Sequence, residues 1–147
     1  MLGHELEKTM INPLFDRNKV NLVIQSALDG YSARHRAIVN NIANVDTPGY
    51  QRVEIRFEER LKSALKASSA EGIVSGDGVE SSSLFETLKH LSPTARTDFS
   101  TPVRADGSNV SIDREMAELA KNGGRMNALT ELLIRNYRDL KTAVLGR

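Results

Sequence analysis

The sequence contains 147 residues, with 20 Lys and Arg against 19 Asp and Glu, a formal net charge of +1 and no cysteine. This charge balance argues against nucleic acid as a partner, and the lack of cysteine excludes disulfides, thiolate metal sites and cysteine nucleophiles. No run approaches the ~20 apolar residues of a membrane-spanning helix, so we expect a protein that is not itself transmembrane. Residues 1–8 lack the basic start and apolar core of a cleavable signal peptide.

The first long element is a helix that we place at residues 18–46, after an N-terminal segment of residues 1–17 that contains Pro13. Apolar residues of this helix recur in alternating steps of four and three, which is the spacing of a coiled-coil stripe. The stripe consists of Ile24, Leu28, Tyr31, His35, Ile38, Ile42 and Val45. We expect His35 to be a partly buried packing residue. Because a narrow stripe cannot be buried by its own helix, the helix needs a partner.

An explicit turn ends this helix. Pro48 has no backbone N–H and pushes Thr47 toward an extended conformation, while Gly49 stands where a type II turn requires positive φ. The four residues from Thr47 to Tyr50 are therefore predicted to reverse the chain. Beyond the turn the period changes to two, which predicts a short strand with one covered face. The residues of that face are Val53, Ile55 and Phe57.

The middle of the chain carries weaker signals. A short helix is predicted from Glu58 to Ala67, and the Ser- and Gly-rich residues 68–83, with a hairpin-turn signal at Asp77-Gly78, are expected to be flexible or weakly β. Ser92-Pro93 breaks the chain again, and residues 94–109 have no sustained period. We therefore treat residues 47–110 as one region of turn, short strand, short helices and flexible chain.

A second long helix is predicted over residues 111–147, with Ser111 or Asp113 as its N-cap. Its stripe has the same alternation of four and three and consists of Ile112, Met116, Leu119, Gly123, Met126, Thr130, Leu133, Tyr137, Leu140 and Val144. At ~1.5 Å per residue such a helix is about 50 Å long. The two stripes predict a mainly α fold in which two long terminal helices form an antiparallel coiled-coil-like pair, with a short β or irregular insertion between them.

Candidate catalytic residues are few. His4 and His90 have no His or carboxylate neighbour at ligand spacing. The acidic residues Glu58, Glu59, Asp113 and Glu115 lie on polar helix faces or at a helix start, where acids are expected anyway, so we interpret them as solvated. The sequence contains no Gly-rich phosphate loop, nucleophile elbow or His-Glu-x-x-His motif. We predict no enzymatic activity, no catalytic residue, no cofactor, no metal and no small-molecule substrate.

Two stretches carry a resemblance to a known family. The first is Asn41-Ile42-Ala43-Asn44 followed by Asp46-Thr47-Pro48-Gly49-Tyr50, and the second runs from Asp106 to Ala117 and continues with Leu119-Ala120-Lys121-Asn122. The first resembles the N-terminal signature of the bacterial flagellar rod and hook proteins, the axial family that builds the flagellar shaft. The second is similar to the other end of short rod proteins. The length of the chain leaves no room for the large extra domains of hook and distal-rod proteins.

The resemblance implies a structural subunit of the proximal rod of the flagellar basal body. Such a subunit polymerises through its terminal helices into a hollow drive shaft and joins that shaft to the export gate. The implied partners are further copies of the chain, other rod proteins, the basal-body adaptor protein and the export gate. The implied location is the periplasmic rod, reached without a cleavable signal peptide through the flagellum's own type III secretion channel.

The apolar stripes are then the helix-packing and assembly residues: Ile24, Leu28, Tyr31, Ile38, Ile42, Val45, Met116, Leu119, Met126, Leu133, Tyr137, Leu140 and Val144. One alternative is a sister rod protein of similar size, rod protein C, which usually lacks the intact Thr-Pro-Gly-Tyr turn. A more remote alternative is a soluble coiled-coil adaptor or export chaperone, whose helices would serve a binding partner instead of a polymer.

Overall fold

A computed structural model describes residues 3–71, 88, 93–98 and 107–146, with side chains from residue 19 onward except in residues 68–71. Two long helices flank a short region of strand and irregular chain, which confirms the predicted mainly α fold. In chain order the elements are α1 (Gly3–Ala43), β1 (Val53–Arg56), α2 (Glu58–Glu71), β2 (Thr94–Thr97) and α3 (Ile112–Leu145). Among the described residues, no helix has both the length and the apolar composition to cross a membrane.

Helix α1 differs from the predicted helix at both ends. It begins at Gly3 and so runs through Pro13, where the sequence suggested a boundary. Proline costs a helix interior one hydrogen bond and about 3 kcal/mol, but it does not make the helical conformation impossible. At its other end α1 stops at Ala43, before the predicted residue 46. There the Asn44 N–H lies 3.2 Å from the carbonyl oxygens of both Asn40 and Asn41, as in a tightened last turn.

Helices α1 and α3 pack against each other in antiparallel orientation. Asn21 contacts Asn136, and Asn41 at the other end of the pair contacts Glu115. On α1, Ile24 and Ile38 are buried, and Leu28, Tyr31 and Ile42 are half-buried. Val45, just after the helix, is also half-buried. His35 is exposed, so its predicted packing role is wrong.

The face of α3 that is turned toward α1 is only partly the predicted one. Most of the protected residues of α3 lie in one row that we call the inner stripe, which consists of Glu115, Leu119, Asn122, Met126, Leu129, Leu133, Asn136 and Leu140. Leu119, Met126, Leu133 and Leu140 agree with the predicted stripe. Each of the other four members lies one residue before a predicted position. Met116, Tyr137 and Val144, assigned to helix packing from the sequence, are 52%, 50% and 77% exposed. Periodicity missed the shift because three of the inner residues are polar.

Strands β1 and β2 form a two-stranded antiparallel sheet in which Val53 lies opposite Thr97 and Arg56 lies opposite Thr94. The sequence predicted β1 but not β2, whose residues Thr-Ala-Arg-Thr are all exposed and show no apolar alternation. Phe57, at the end of β1, is 1% exposed and makes an edge-to-face contact with Tyr31 of α1, with ring centroids 4.9 Å apart. The sheet is thereby fixed to α1.

Helix α2 continues past the predicted end at Ala67 as far as Glu71. Residues 68–71, expected to be flexible or weakly β, are therefore helical. The rest of that segment, including the predicted turn at Asp77-Gly78, lies outside the described residues. Ala64 of α2 is buried against Leu88, and Leu22, Val23 and Leu61 pack around them. The C-terminal helix α3 has Ser111 as its N-cap, one of the two predicted residues, and Gly146 as its C-cap.

Gly30 explains how α1 and β1 come so close together. A Cβ atom at Gly30 would overlap the Phe57 ring, so Gly30→Ala should destabilise the fold by about 1–3 kcal/mol despite the better helix propensity of alanine. Gly124→Ala is the matched control, because a Cβ there meets nothing within 4 Å. The control should gain about 0.5–1 kcal/mol. Urea unfolding followed by circular dichroism measures both values, and equal stabilisation by the two changes would contradict the close approach.

Candidate functional site

The two stretches that carry the family resemblance meet in a buried polar junction, with Asn41 at its centre. Asn41 is fully buried; its Nδ2 donates to the Val53 carbonyl oxygen (2.9 Å) and to Glu115 Oε2 (3.0 Å). Its Oδ1 accepts from the Val53 N–H (3.0 Å) and from the Tyr50 hydroxyl (3.1 Å). An amide side chain has two donor hydrogens and two acceptor lone pairs, so all four are used. Asn41 thus joins α1, the turn, β1 and α3.

Arg52 and Glu115 form the charged part of the junction. Arg52 Nε donates to Glu115 Oε1 (2.6 Å) and its Nη1 donates to Asp98 Oδ2 (2.8 Å), with Arg52 5% and Glu115 0% exposed. Burial alone would lower the pKa of the Arg52 guanidinium, but hydrogen bonding to Glu115 and Asp98 and their charges raise it. The sequence interpretation of Glu115 as a solvated acid is wrong. Its charge is compensated by a cation that lies far away in sequence.

Asn109, Gly107 and their neighbours bring the second stretch onto the first. Asn109 Oδ1 accepts from the Arg52 N–H (2.6 Å), and its Nδ2 donates to the Asp98 carbonyl oxygen. The Gln51 side chain donates to the Gly107 carbonyl oxygen (2.8 Å). Gly49 and Gly107 both have positive φ (72° and 82°), and a Cβ added to Gly107 would lie 3.5 Å from the Gly49 Cα. The backbones at these two glycines therefore pass close to each other.

The turn itself has the predicted geometry. The Tyr50 N–H donates to the Thr47 carbonyl oxygen (3.2 Å), and Gly49 has the positive φ that a type II turn requires. Asn44 closes the end of α1, because its side chain donates to the Asn40 carbonyl oxygen (2.8 Å) and accepts from the Thr47 hydroxyl (3.2 Å). Ile42 of the same motif is half-buried, whereas Ala43, Asp46 and Pro48 are exposed.

A second ion pair fixes β1 and α2 to α1. The Arg34 guanidinium donates to both carboxylate oxygens of Glu58 (2.6 and 2.5 Å) and to the Ile55 carbonyl oxygen (2.9 Å). Arg34 also lies 4.9 Å from the centroid of the Phe57 ring, and Arg125 of α3 lies 3.6 Å from Glu58. Glu58 was interpreted as solvated; its side chain is 44% exposed, but the sequence did not predict its ion pair. Burial alone would raise the pKa of Glu58, but Arg34 and, to a lesser extent, Arg125 hold it below the ordinary value.

A groove of about 210 Å³ lies between α1, β1 and α3. Its charged lining residues are Arg34, Arg52, Glu54, Arg114, Glu118, Lys121 and Arg125. Arg34, Arg52 and Lys121 each lie within 3.5 Å of a carboxylate oxygen, so much of the positive charge is neutralised. In the part of the chain that the structure describes, no three His, Asp or Glu residues are grouped to hold a metal ion.

The other notable surface is apolar and lies along α3. We call it the outer stripe: Ile112, Met116, Gly123, Thr130, Ile134 and Tyr137. Its apolar side chains are half exposed or nearly so, from 48% at Ile112 to 52% at Met116 and Ile134. Within the described part of the chain, a Cβ at Gly123 would meet nothing within 4 Å, so packing against these residues does not explain the glycine. The stripe contains Met116 and Tyr137, two of the predicted packing residues that are at least half exposed.

Sequence reasoning missed most of the charged junction. Arg52, Asp98 and Asn109 were not singled out, and Glu115 was assigned to the solvent. Asn109 and Glu115 do belong to the second family stretch, which was the one signal available for them. Of the predicted motif residues, the structure brings Asn41 and Tyr50 into the junction and places Asn44, Thr47 and Gly49 in the turn that supports it.

Comparison with known proteins finds both a family profile and individual relatives. The profile of the family described as "Flagella basal body rod protein" matches residues 22–51, which form the second part of α1 and the turn. The chain is 32% identical over 123 residues to the flagellar basal body rod protein FlgB of Bacillus subtilis (strain 168), covering 84% of this chain and 91% of that protein. It is 31% identical over 122 residues to FlgB of Borrelia hermsii (80% and 89%) and 32% identical over 100 residues to FlgB of Escherichia coli (strain K12; 67% and 72%).

Removing the charge of Glu115 should destabilise the whole junction. In Glu115→Gln the buried Arg52 loses one of its two carboxylate partners, and breaking a buried ion pair in this way should cost about 3 kcal/mol. Asp113→Asn is the matched control, because it makes the same chemical change at an exposed position in the same helical turn. It should change the free energy of unfolding by less than about 1 kcal/mol. Denaturant unfolding measures both, and similar midpoints would mean that the ion pair contributes little.

The Arg34–Glu58 pair should make stability depend on pH in the acid range. Because the pKa of Glu58 is lower in the folded chain than its ordinary value of 4.5, the pair stabilises the fold fully above about that pH. The contribution is lost as the pH falls through the lower folded value. Glu58→Gln should therefore lower the melting temperature at neutral pH, and the difference from the native chain should shrink in acid. The exposed neighbour change Glu59→Gln should leave the melting curves unchanged, and a gap for Glu58→Gln that stays constant with pH would contradict the assignment.

Proposed function

Because this chain belongs to the FlgB family of flagellar basal body rod proteins, we propose that it is a subunit of the proximal rod that polymerises through α1 and α3. Its family is a structural one, and a structural role in the rod of the basal body follows from membership. Beyond this structural role, we propose that the subunit lies in the proximal part of the rod and that its two long helices polymerise into a hollow drive shaft. The observation that carries this proposal is the outer stripe of α3.

The outer stripe leaves apolar side chains in water along a helix whose other face is already packed. Ile112, Met116 and Ile134 are each about half exposed, and fully burying a side chain of this size contributes about 1.5–3 kcal/mol. A row of such residues on one helix is typical of a surface that is completed by another chain. Neighbouring subunits of a rod would supply that cover. Val144 and Leu145 extend the exposed apolar surface to the end of α3.

The proposed partners are further copies of this chain, other rod proteins, the basal-body adaptor protein and the export gate. Family membership supports assembly with other rod proteins, and the finer choice of partners comes from the resemblance to proximal rod subunits. We further propose that the chain reaches the periplasmic rod through the flagellar type III secretion channel without cleavage. Cofractionation with purified basal bodies separates this proposal from a soluble adaptor or chaperone, which would remain in the cytoplasmic fraction.

A charge in the outer stripe should prevent assembly without unfolding the chain. Ile134→Asp places a carboxylate on a half-exposed position, so the single chain should keep its helical content and its melting temperature. A neighbouring subunit that covers the stripe would have to desolvate that charge, which is expensive. We expect loss of swimming and loss of the protein from isolated basal bodies, measured by motility in soft agar and immunoblotting. The control Ala128→Asp carries the same charge on a different exposed face of α3 and should swim. Normal swimming by Ile134→Asp would refute the role of the stripe.

A further inference from the structure

Helix α3 offers two overlapping faces for packing against α1. The leucine and methionine positions Leu119, Met126, Leu133 and Leu140 are common to the inner stripe and to the stripe predicted from the sequence. The two faces differ only at the alternate positions, which are Glu115, Asn122, Leu129 and Asn136 on the inner face and Met116, Gly123, Thr130 and Tyr137 on the other. Adjacent residues of a helix lie about 100° apart, so a modest rotation of α3 about its axis would exchange the faces. Apolar burial alone does not favour the face that is used.

Three polar contacts favour the inner face, and they recur along the whole helix pair. The other face makes one long contact of this kind, in which Gln25 Nε2 donates to the Tyr137 hydroxyl (3.4 Å). Near the start of α3, Glu115 contacts Asn41 (3.0 Å) and Arg52. Near its middle, Asn122 Nδ2 donates to the Tyr31 carbonyl oxygen (3.1 Å). Toward its end, Asn136 Nδ2 donates to Asn21 Oδ1 (3.1 Å). A polar residue within an apolar helix interface commonly specifies which register forms, at a cost in stability.

The cost is visible at Asn122. This residue is 3% exposed, and its Oδ1 has no hydrogen-bond partner within the described part of the chain. An apolar residue at this position would avoid burying an unsatisfied oxygen. Gly123 and Gly124 follow immediately, and glycine weakens a helix interior. The part of α3 beyond them is therefore held less firmly to the part anchored by Glu115, and it needs contacts of its own.

We propose that Asn122 and Asn136 set the rotation of the C-terminal half of α3 against α1. By doing so they keep Thr130 and Ile134 turned away from α1 and available as an outward surface. Their side chains act as specificity determinants for helix pairing within one chain. The inference concerns the isolated chain, so it can fail while the proposed function stands, and the reverse also holds.

Single engineered cysteines test the rotation directly, because the chain contains no cysteine of its own. Leu129→Cys reports a position that is partly buried, and Thr130→Cys reports its exposed neighbour. In the otherwise native chain the thiol at position 130 should react several-fold faster with a maleimide than the thiol at position 129. In the background Asn122→Ala, Asn136→Ala we expect this difference to disappear or reverse. The reporter change is common to both backgrounds, so its own effect cancels in the comparison.

A rotation of α3 should raise the reaction rate at position 129 and lower it at position 130. Unfolding should raise both rates. The control Asn127→Ala removes the same kind of side chain from the exposed side of α3 and should leave the two rates as they are in the native chain. A rescue variant carries Asn21→Asp together with Asn136→Lys, which restores a polar contact between the helices. It should also restore the difference between the reaction rates at positions 129 and 130. An unchanged rate ratio in the double alanine background would overturn the proposal. An equal rise at both positions would overturn it too, because the helix would then have separated from α1 instead of rotating.

Discussion

The buried pair between Arg52 and Glu115 is the constraint on which the rest of the structure depends. Two ionised groups in a nearly dry environment are tolerated only when each is paired and hydrogen-bonded, and here Asp98 and Asn41 complete the set. The pair therefore demands that the start of α3, the residues before β1, the end of β2 and the last turns of α1 all meet. Their relative placement follows from the charge that must be satisfied.

Polar contacts also decide how the two long helices pair. An apolar interface is stabilising but poorly specific, because leucine and methionine at heptad spacing accept several rotations and registers. A buried asparagine stabilises the interface less than an apolar residue does. It selects one arrangement more strictly, because a buried amide without its hydrogen-bond partner is costly. The pair of α1 and α3 accordingly trades stability for one defined arrangement. The apolar residues that a more stable pair would have buried remain on the outer stripe. In the proposed rod, neighbouring subunits would cover this apolar surface.

The features that sequence reasoning predicted are those determined by local chemistry. The turn at Gly49, strand β1 and the two long helices follow from proline and glycine geometry and from periodicity, which act within a few residues. The features that it missed depend on distant partners. Strand β2 has no apolar alternation, and it is a strand because it pairs with β1. Glu115 was interpreted as solvated because its partner Arg52 is distant in sequence. Periodicity could not choose between the two faces of α3, since they share every second residue.

The start of α3 joins the fold of the single chain to its proposed assembly. Glu115 points into the buried junction, whereas its neighbour Met116 is 52% exposed and belongs to the outer stripe. Because the two residues are adjacent on one helix, the direction of one fixes the direction of the other. The ion pair with Arg52 therefore not only holds the fold together but also sets where the first apolar residues of the outer stripe point. A substitution that loosens the junction would disturb the outward surface as well, even though no residue of that surface has changed.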